Sequence, residues 1–197
     1  MKMDVVREML IQALEHEMGG VKVYETALKC AINEDLKGEW EKYHEQTERH
    51  VQILHDVCAQ LQIDPDQQTP GRKIVHDMGQ SFVKAMEAAL ASGDREQAEC
   101  TACDCVVLAE TKDHANWEVI GEVSKKLTGA EGKALKDAYA EVEDQEDEHL
   151  YHSRGWMREL ELQMLGLKAV LPPPEERKHV KTAISAARAE HQRGKMR

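Results

Sequence analysis

"EVEDQEDEHLYH", Glu141 to His152, runs acidic residues up against two histidines. Read as an α-helix, one side carries Leu135, Tyr139, Val142, Glu146, His149, Trp156 and Leu160, a stripe at steps of three, four and seven. Glu146 and His149 fall inside that apolar stripe, whereas Asp144, Asp147 and Glu148 face away from it. A buried carboxylate beside a buried imidazole is costly unless something pairs with both. A buried salt bridge is one solution, and a metal ion is the other.

Working outward, the chain reads as helix almost throughout. A first helix is expected from Asp4 to Ile32 on Val6, Leu10, Ala13, Glu17, Val21, Tyr24 and Leu28, again with a carboxylate in the seam. Gly19 and Gly20 in its interior each cost about 1 kcal/mol, which implies a close neighbour or a kink. After a linker "NEDLKG", a second helix from Glu39 to Leu61 turns Trp40, Tyr43, Thr47, His50, Leu54 and Leu61 inward. "DPDQQTPG" (64–71) is a loop, and a shorter helix over 72–91 uses Ile74, Met78, Phe82, Met86 and Leu90. "SGD" (92–94) then caps a long helix to Leu127 with Cys103, Val106, Glu110, Trp117 and Ile120 inward. Thr128 and Glu131 have capping-box spacing and start a helix reaching Leu165, until "LPPP" (171–174) stops it. The fold class is all-α: four long helices with an extra helix in the crossover between the second and third, residues 1–169. A basic C-terminal tail, 170–197, forms one more exposed helix.

Composition agrees. Charged residues make up 32% and aromatics 4%, and Ala, Leu, Glu, Lys and Gln dominate the long segments. The net charge of −11 argues against specific nucleic-acid binding. The tail departs from the rest: its seven Lys/Arg against three Glu give +4, leaving −15 elsewhere. No stretch resembles a secretion signal or a membrane span, and five cysteines without export signals suggest reduced thiols in the cytoplasm.

The two halves repeat. Glu17 is followed seven residues later by Tyr24, and Glu110 seven later by Trp117. Thr47-x-x-His50 matches Glu146-x-x-His149, and each half places its histidine at a similar distance after its glutamate (33 and 39 residues). This arrangement resembles the ferritin-like superfamily of di-iron carboxylate bundles, with one Glu on each of two helices and Glu-x-x-His on the other two. Glu17 with Tyr24 resembles the first-helix element of bacterioferritins and rubrerythrins. "YHEQTERHVQIL" (43–54) and the inserted helix look more like the bacterial YciE/YciF-type stress proteins. The resemblance covers roughly residues 5 to 165.

It implies a ferritin-like bundle holding at most two non-haem ions, iron or manganese, on Glu17, His50, Glu110, Glu146 and His149. Carboxylates with imidazoles suit those metals. One position departs from the family pattern: Thr47 stands where a bridging carboxylate is expected, and a hydroxyl cannot replace that charge. Glu143 and His44 are candidate substitutes nearby, while Tyr24 and Trp117 are core residues that also order the carboxylates. The function implied is reaction with dioxygen or peroxide, of a ferroxidase or peroxidase type, in oxidative stress or metal handling by a cytoplasmic homodimer. The competing reading is a stress-response bundle that works through a dimer or partner interface and keeps a vestigial site. "ECTACDC" (99–105) lacks a second CxxC and is read as structural, and the methionines are read as core filler.

Overall fold

The computed structural model describes residues 1–196, and among these every regular element is a helix. Long helices α1 (Met3–Cys30), α2 (Glu34–Gln60), α4 (Arg95–Ser124) and α5 (Gly129–Met164) close a ring in which α1 touches α2 and α4, and α5 touches the same two. Helix α3 (Pro70–Ala91), in the α2–α4 crossover, lies outside against α1 and α4. No helix among the described residues is long and apolar enough to cross a membrane.

Local chemistry sets the boundaries. The "NEDLKG" linker is instead the first turn of α2. Asn33 accepts from the backbone N–H groups of Asp35 and Leu36 at 3.0 and 3.2 Å, and fully buried Leu36 anchors the turn. Buried Glu99 of α4 takes the N–H groups of Ile32 and Asn33, both at 2.7 Å, which fixes the α1–α2 connection to the far hairpin. Thr128 does occupy the cap position of α5, but its side chain makes no capping bond, and the chain turns there through Gly129 at a φ of 72°. The glycines of α1 mark close approach rather than a kink. A Cβ on Gly20 would lie 3.2 Å from the Thr47 methyl, and Gly19 faces Gly79 of α3.

The far half of the inward face expected for α3 holds, with Met86 buried and Phe82 and Leu90 packed against the core, but its first turns do not follow it. Ile74 and Met78 are exposed, while Arg72, Val75 and Met86 are buried. In those first turns the inward contact is ionic: Arg72 Nε donates to buried Glu15 at 2.7 Å. Met86 is fully buried and Met3, Met9 and Met157 pack against the core, but Met1, Met18, Met78 and Met164 are exposed, so the core-filler reading fails for these four.

The basic tail is not a free appendage. Short α6 (Pro174–Arg177) and α7 (Ala183–Gln192) fold back on α5. Helix α7 itself is mostly exposed, but the segments on either side of it are anchored. Glu159 of α5 is fully buried and accepts from the Val170 N–H at 2.8 Å, from Arg158, and from Arg193, whose Nη2 lies 2.7 Å away. Arg158 also grips buried Glu175 through two bonds of 2.8 and 2.9 Å. Val180 and Ala189 complete a small apolar cluster with Leu150 and Tyr151.

The main core is divided. One apolar cluster gathers Leu10, Leu14, Leu54, Trp117, Ile120, Leu135 and Val142. The other gathers Tyr24, Leu36, Trp40, Tyr43, Val106, Trp156 and Leu160. Between them lies a layer of buried polar side chains. Because removing one partner of a buried ion pair is far costlier than an exposed one, Arg193→Ala should destabilise the protein by roughly 2–4 kcal/mol in urea unfolding. Arg188→Ala, on the exposed side of α7, should be nearly silent.

Candidate metal centre

The polar layer contains the five residues singled out in the repeat. Glu17, His50, Glu110, Glu146 and His149 are each at most 4% exposed. They fall into two trios, Glu17–His50–Glu146 and Glu110–Glu146–His149, within each of which a ligand atom from every residue lies within 4.8 Å of the others. Glu146 belongs to both. His50 Nδ1 is 3.1 Å from Glu146 Oε1 and 3.5 Å from Glu17 Oε1, while His149 Nδ1 is 3.5 Å from Glu110 Oε2 and 3.8 Å from Glu146 Oε1. An ion with ligands at about 2.1 Å sets neighbouring donors about 3.0–3.4 Å apart. The observed separations are close to that spacing.

Hydrogen bonding leaves the same atoms free. Neither Nδ1 is aligned for a hydrogen bond, and Glu17 Oε2, Glu110 Oε2 and both oxygens of Glu146 are buried without a partner. Buried polar atoms are rarely left so. They converge on one layer, in two groups that could hold a metal ion.

The surrounding donors cross between the two hairpins. Tyr24 of α1 donates to Glu110 Oε1 of α4 at 2.6 Å, and Trp117 of α4 donates to Glu17 Oε1 of α1 at 2.7 Å. His50 Nε2 meets Gln145 Oε1 of α5 at 2.9 Å, and His149 Nε2 meets Gln46 Oε1 of α2 at 2.8 Å. An amide oxygen accepts, so each Nε2 carries a proton, and Nδ1 is the atom turned to the carboxylates, protonated in the imidazolium and a lone-pair donor in the neutral ring. Each glutamine stands four residues before the histidine of its own helix. That repeated Gln-x-x-x-His spacing is the signal in the sequence that would have located them.

The remaining candidates are placed elsewhere. Thr47 is buried, but its hydroxyl donates to the Tyr43 carbonyl at 2.9 Å and its methyl faces Gly20, so it is a packing residue. Glu143 is exposed and accepts from Tyr139, and His44 joins neither trio. Neither supplies the missing carboxylate. Asp113, not singled out from the sequence, is 4% exposed with Oδ1 unpartnered, one turn beyond Glu110 on α4. Of the acidic run beyond the stripe, Asp144 is exposed, Glu148 pairs with Lys42 and Lys181, and Asp147 pairs with His114. All five cysteines are unpaired thiols and buried.

Electrostatics follow from burial and crowding. Burial raises the Glu146 carboxyl to about 7, with the Glu110 and Glu17 charges adding to it and the His50 contact opposing. Burial, then the charges of Glu17, Glu146 and Glu110, pushes Asp113 well above the usual carboxylate range. Burial alone would lower His50, but Glu17 and Glu146 outweigh it and hold the imidazolium well above its ordinary range. Burial raises Glu110 too, yet the contact with His149 and the Tyr24 bond bring it below the ordinary value.

Comparisons with protein-family models, curated proteins and solved structures gave no match to this chain. The site therefore rests on its own geometry.

Groups raised on folding stabilise the protein while protonated. The Glu146 contribution is complete below its ordinary 4.5 and is lost as the pH rises to about 7. The His50 contribution is complete below 6.5 and is lost as the pH rises through its higher folded value. Metal-free protein should accordingly lose roughly 3 °C or more in Tm between about pH 6 and 8. Saturation with Mn2+ should flatten that slope, because the cation replaces the protons; scanning calorimetry at the two pH values reads both.

Proposed function

We propose that this protein is a metalloprotein whose core centre holds one or two divalent cations, iron or manganese, and reacts with dioxygen or peroxide. The observation that carries this reading is Glu146: buried, shared by both trios, and with neither oxygen partnered. A ferritin-like relationship is part of the same proposal, supported by the Glu/His repeat and the ring of four long helices, and a homodimer is proposed with it.

The residues present fit such ions. Glu17 and His50 would hold one, Glu110 and His149 the other, with Glu146 between them. Two dications need four negative charges for neutrality when both imidazoles are neutral. Glu17, Glu110 and Glu146 supply three, and Asp113 is the buried group that would supply the fourth in place of the carboxylate missing at Thr47. Iron or manganese, when bound, supplies electrons to a small oxidant by changing oxidation state.

The chain's own residues prepare that chemistry. Tyr24 and Trp117 orient the carboxylates, and Gln46 and Gln145 hold the Nε2–H tautomers, as partners of metal-binding histidines commonly do. The apolar clusters above and below keep bulk water out. Glu146, with a proton held to about pH 7, is poised to release it when a cation arrives.

A second reading is an inert bundle in which the imidazoles stay protonated and pair with the carboxylates; the engaged hydroxyl of Thr47 favours it. Elemental analysis separates the two. Protein made in iron- or manganese-replete medium should retain between one and two ions per chain, and Glu146→Gln, which preserves shape but removes the charge, should retain far less. Less than about a tenth of an ion in the wild type, with no uptake on titration, would leave the inert bundle standing.

Two quieter variants test the surroundings. Tyr24→Phe should weaken metal binding by roughly 10- to 100-fold through the loss of its bond to Glu110. Thr47→Val should leave metal content unchanged, because the Thr47 hydroxyl is spent on a backbone carbonyl.

A further inference from the structure

A cavity of about 200 Å³ runs from the surface between α4 and α5 down to Glu146 and Trp117. Its floor is a side chain of the centre: Glu146 is 2% exposed with both oxygens unpartnered. Its mouth is acidic. Glu118, Glu143 and Asp147 line it, with His114 as the one basic group, 2.9 Å from Asp147 Oδ1. Thr182 and Ala183, at the start of α7, form the remaining wall, so the folded-back tail completes the passage.

We propose that this cavity is the entry route for hydrated divalent cations, with Glu118, Glu143 and Asp147 drawing the ion in before it sheds water and passes to Glu146. The proposal rests on the metal reading of the centre and adds the path by which the centre is reached. Size supports it. A water needs only about 10–15 Å³ of such space, so a cavity of about 200 Å³ admits an ion together with its hydration waters. Organic ligands generally need pockets of about 300 Å³ or more, which makes a small ion or oxidant the occupant.

Charge supports it as well. Carboxylates focused at the mouth of a low-dielectric passage raise the local cation concentration and the association rate, and salt screens that effect. Exposed Glu143 therefore acts at the threshold, not as a ligand. Tyr139 donates to its Oε1 at 2.8 Å and holds that carboxylate at the rim. A larger depression of about 610 Å³ shares Glu118 and Tyr139 with the mouth but touches no residue of the centre, so it offers no second way in.

Co2+ is a suitable probe, because its visible absorption in a nitrogen–oxygen site reports binding in a stopped-flow instrument. The double variant Glu118→Gln/Glu143→Gln should bind Co2+ about tenfold more slowly at low ionic strength, with most of the salt dependence gone and the final occupancy unchanged. Ala183→Trp, which fills the mouth without changing charge, should slow loading at every salt concentration. Glu87→Gln/Glu161→Gln removes the same charge from exposed positions outside the cavity and should load like the wild type. Wild-type rates in both the double variant and Ala183→Trp would overturn the route while leaving the centre intact. A drop in final occupancy in the double variant would make those carboxylates ligands, and overturn the staging role. Absence of Co2+ and Mn2+ binding by the wild type in equilibrium dialysis would remove the centre itself, and the route with it.

Discussion

The structure is organised around the cost of enclosing Glu17, Glu110, Glu146, His50 and His149 between two apolar clusters. Carboxylates this close repel one another in a medium that screens poorly. Burial first, and then that repulsion, raise the Glu146 carboxyl to about 7 and Asp113 well above the ordinary carboxylate range. Four long helices are needed to bring those groups together, and the aromatic and amide donors around them are what keep them from reorienting. A core of ordinary aliphatic residues at the same positions would be easier to fold. Retaining the polar layer makes sense as the scaffold for a cation.

The helical class was legible because long apolar stripes with few glycines and prolines leave little alternative. The placement of Glu17, His50, Glu110, Glu146 and His149 in one layer followed from the same stripes, since a charged residue in a buried register has to meet others like it. Asp113 shared that register, three after Glu110 and four before Trp117, but it has no counterpart in the Glu/His repeat, which links Glu110 directly to Trp117. Gln46 and Gln145 carry no charge and so raised no question about burial. Their role depends on which helix faces which, and that is a tertiary fact.

Where charge did the packing, apolar periodicity misled. The first turns of α3 follow the Arg72–Glu15 pair, not Ile74 and Met78, and the tail is fastened by Arg193 to Glu159 with little apolar surface to announce it. Arginine buries well when its fork meets a carboxylate, and nothing in a hydropathy pattern distinguishes such an arginine from an exposed one. Asn33 shows a smaller version of the problem: a polar cluster that reads as a linker is also the preferred start of a helix.

The crossing of the outer donors between hairpins carries a further meaning. α1–α2 holds Glu17 and His50, but the groups that steady them, Trp117 and Gln145, arrive only with α4–α5, and the converse holds for Glu110 and His149. A half-assembled chain would thus present loose, mis-protonated imidazoles and freely rotating carboxylates. On the proposed reading, competence to capture an ion would switch on only at docking, and selection among metals would fall to the rigid layer rather than to a flexible hairpin.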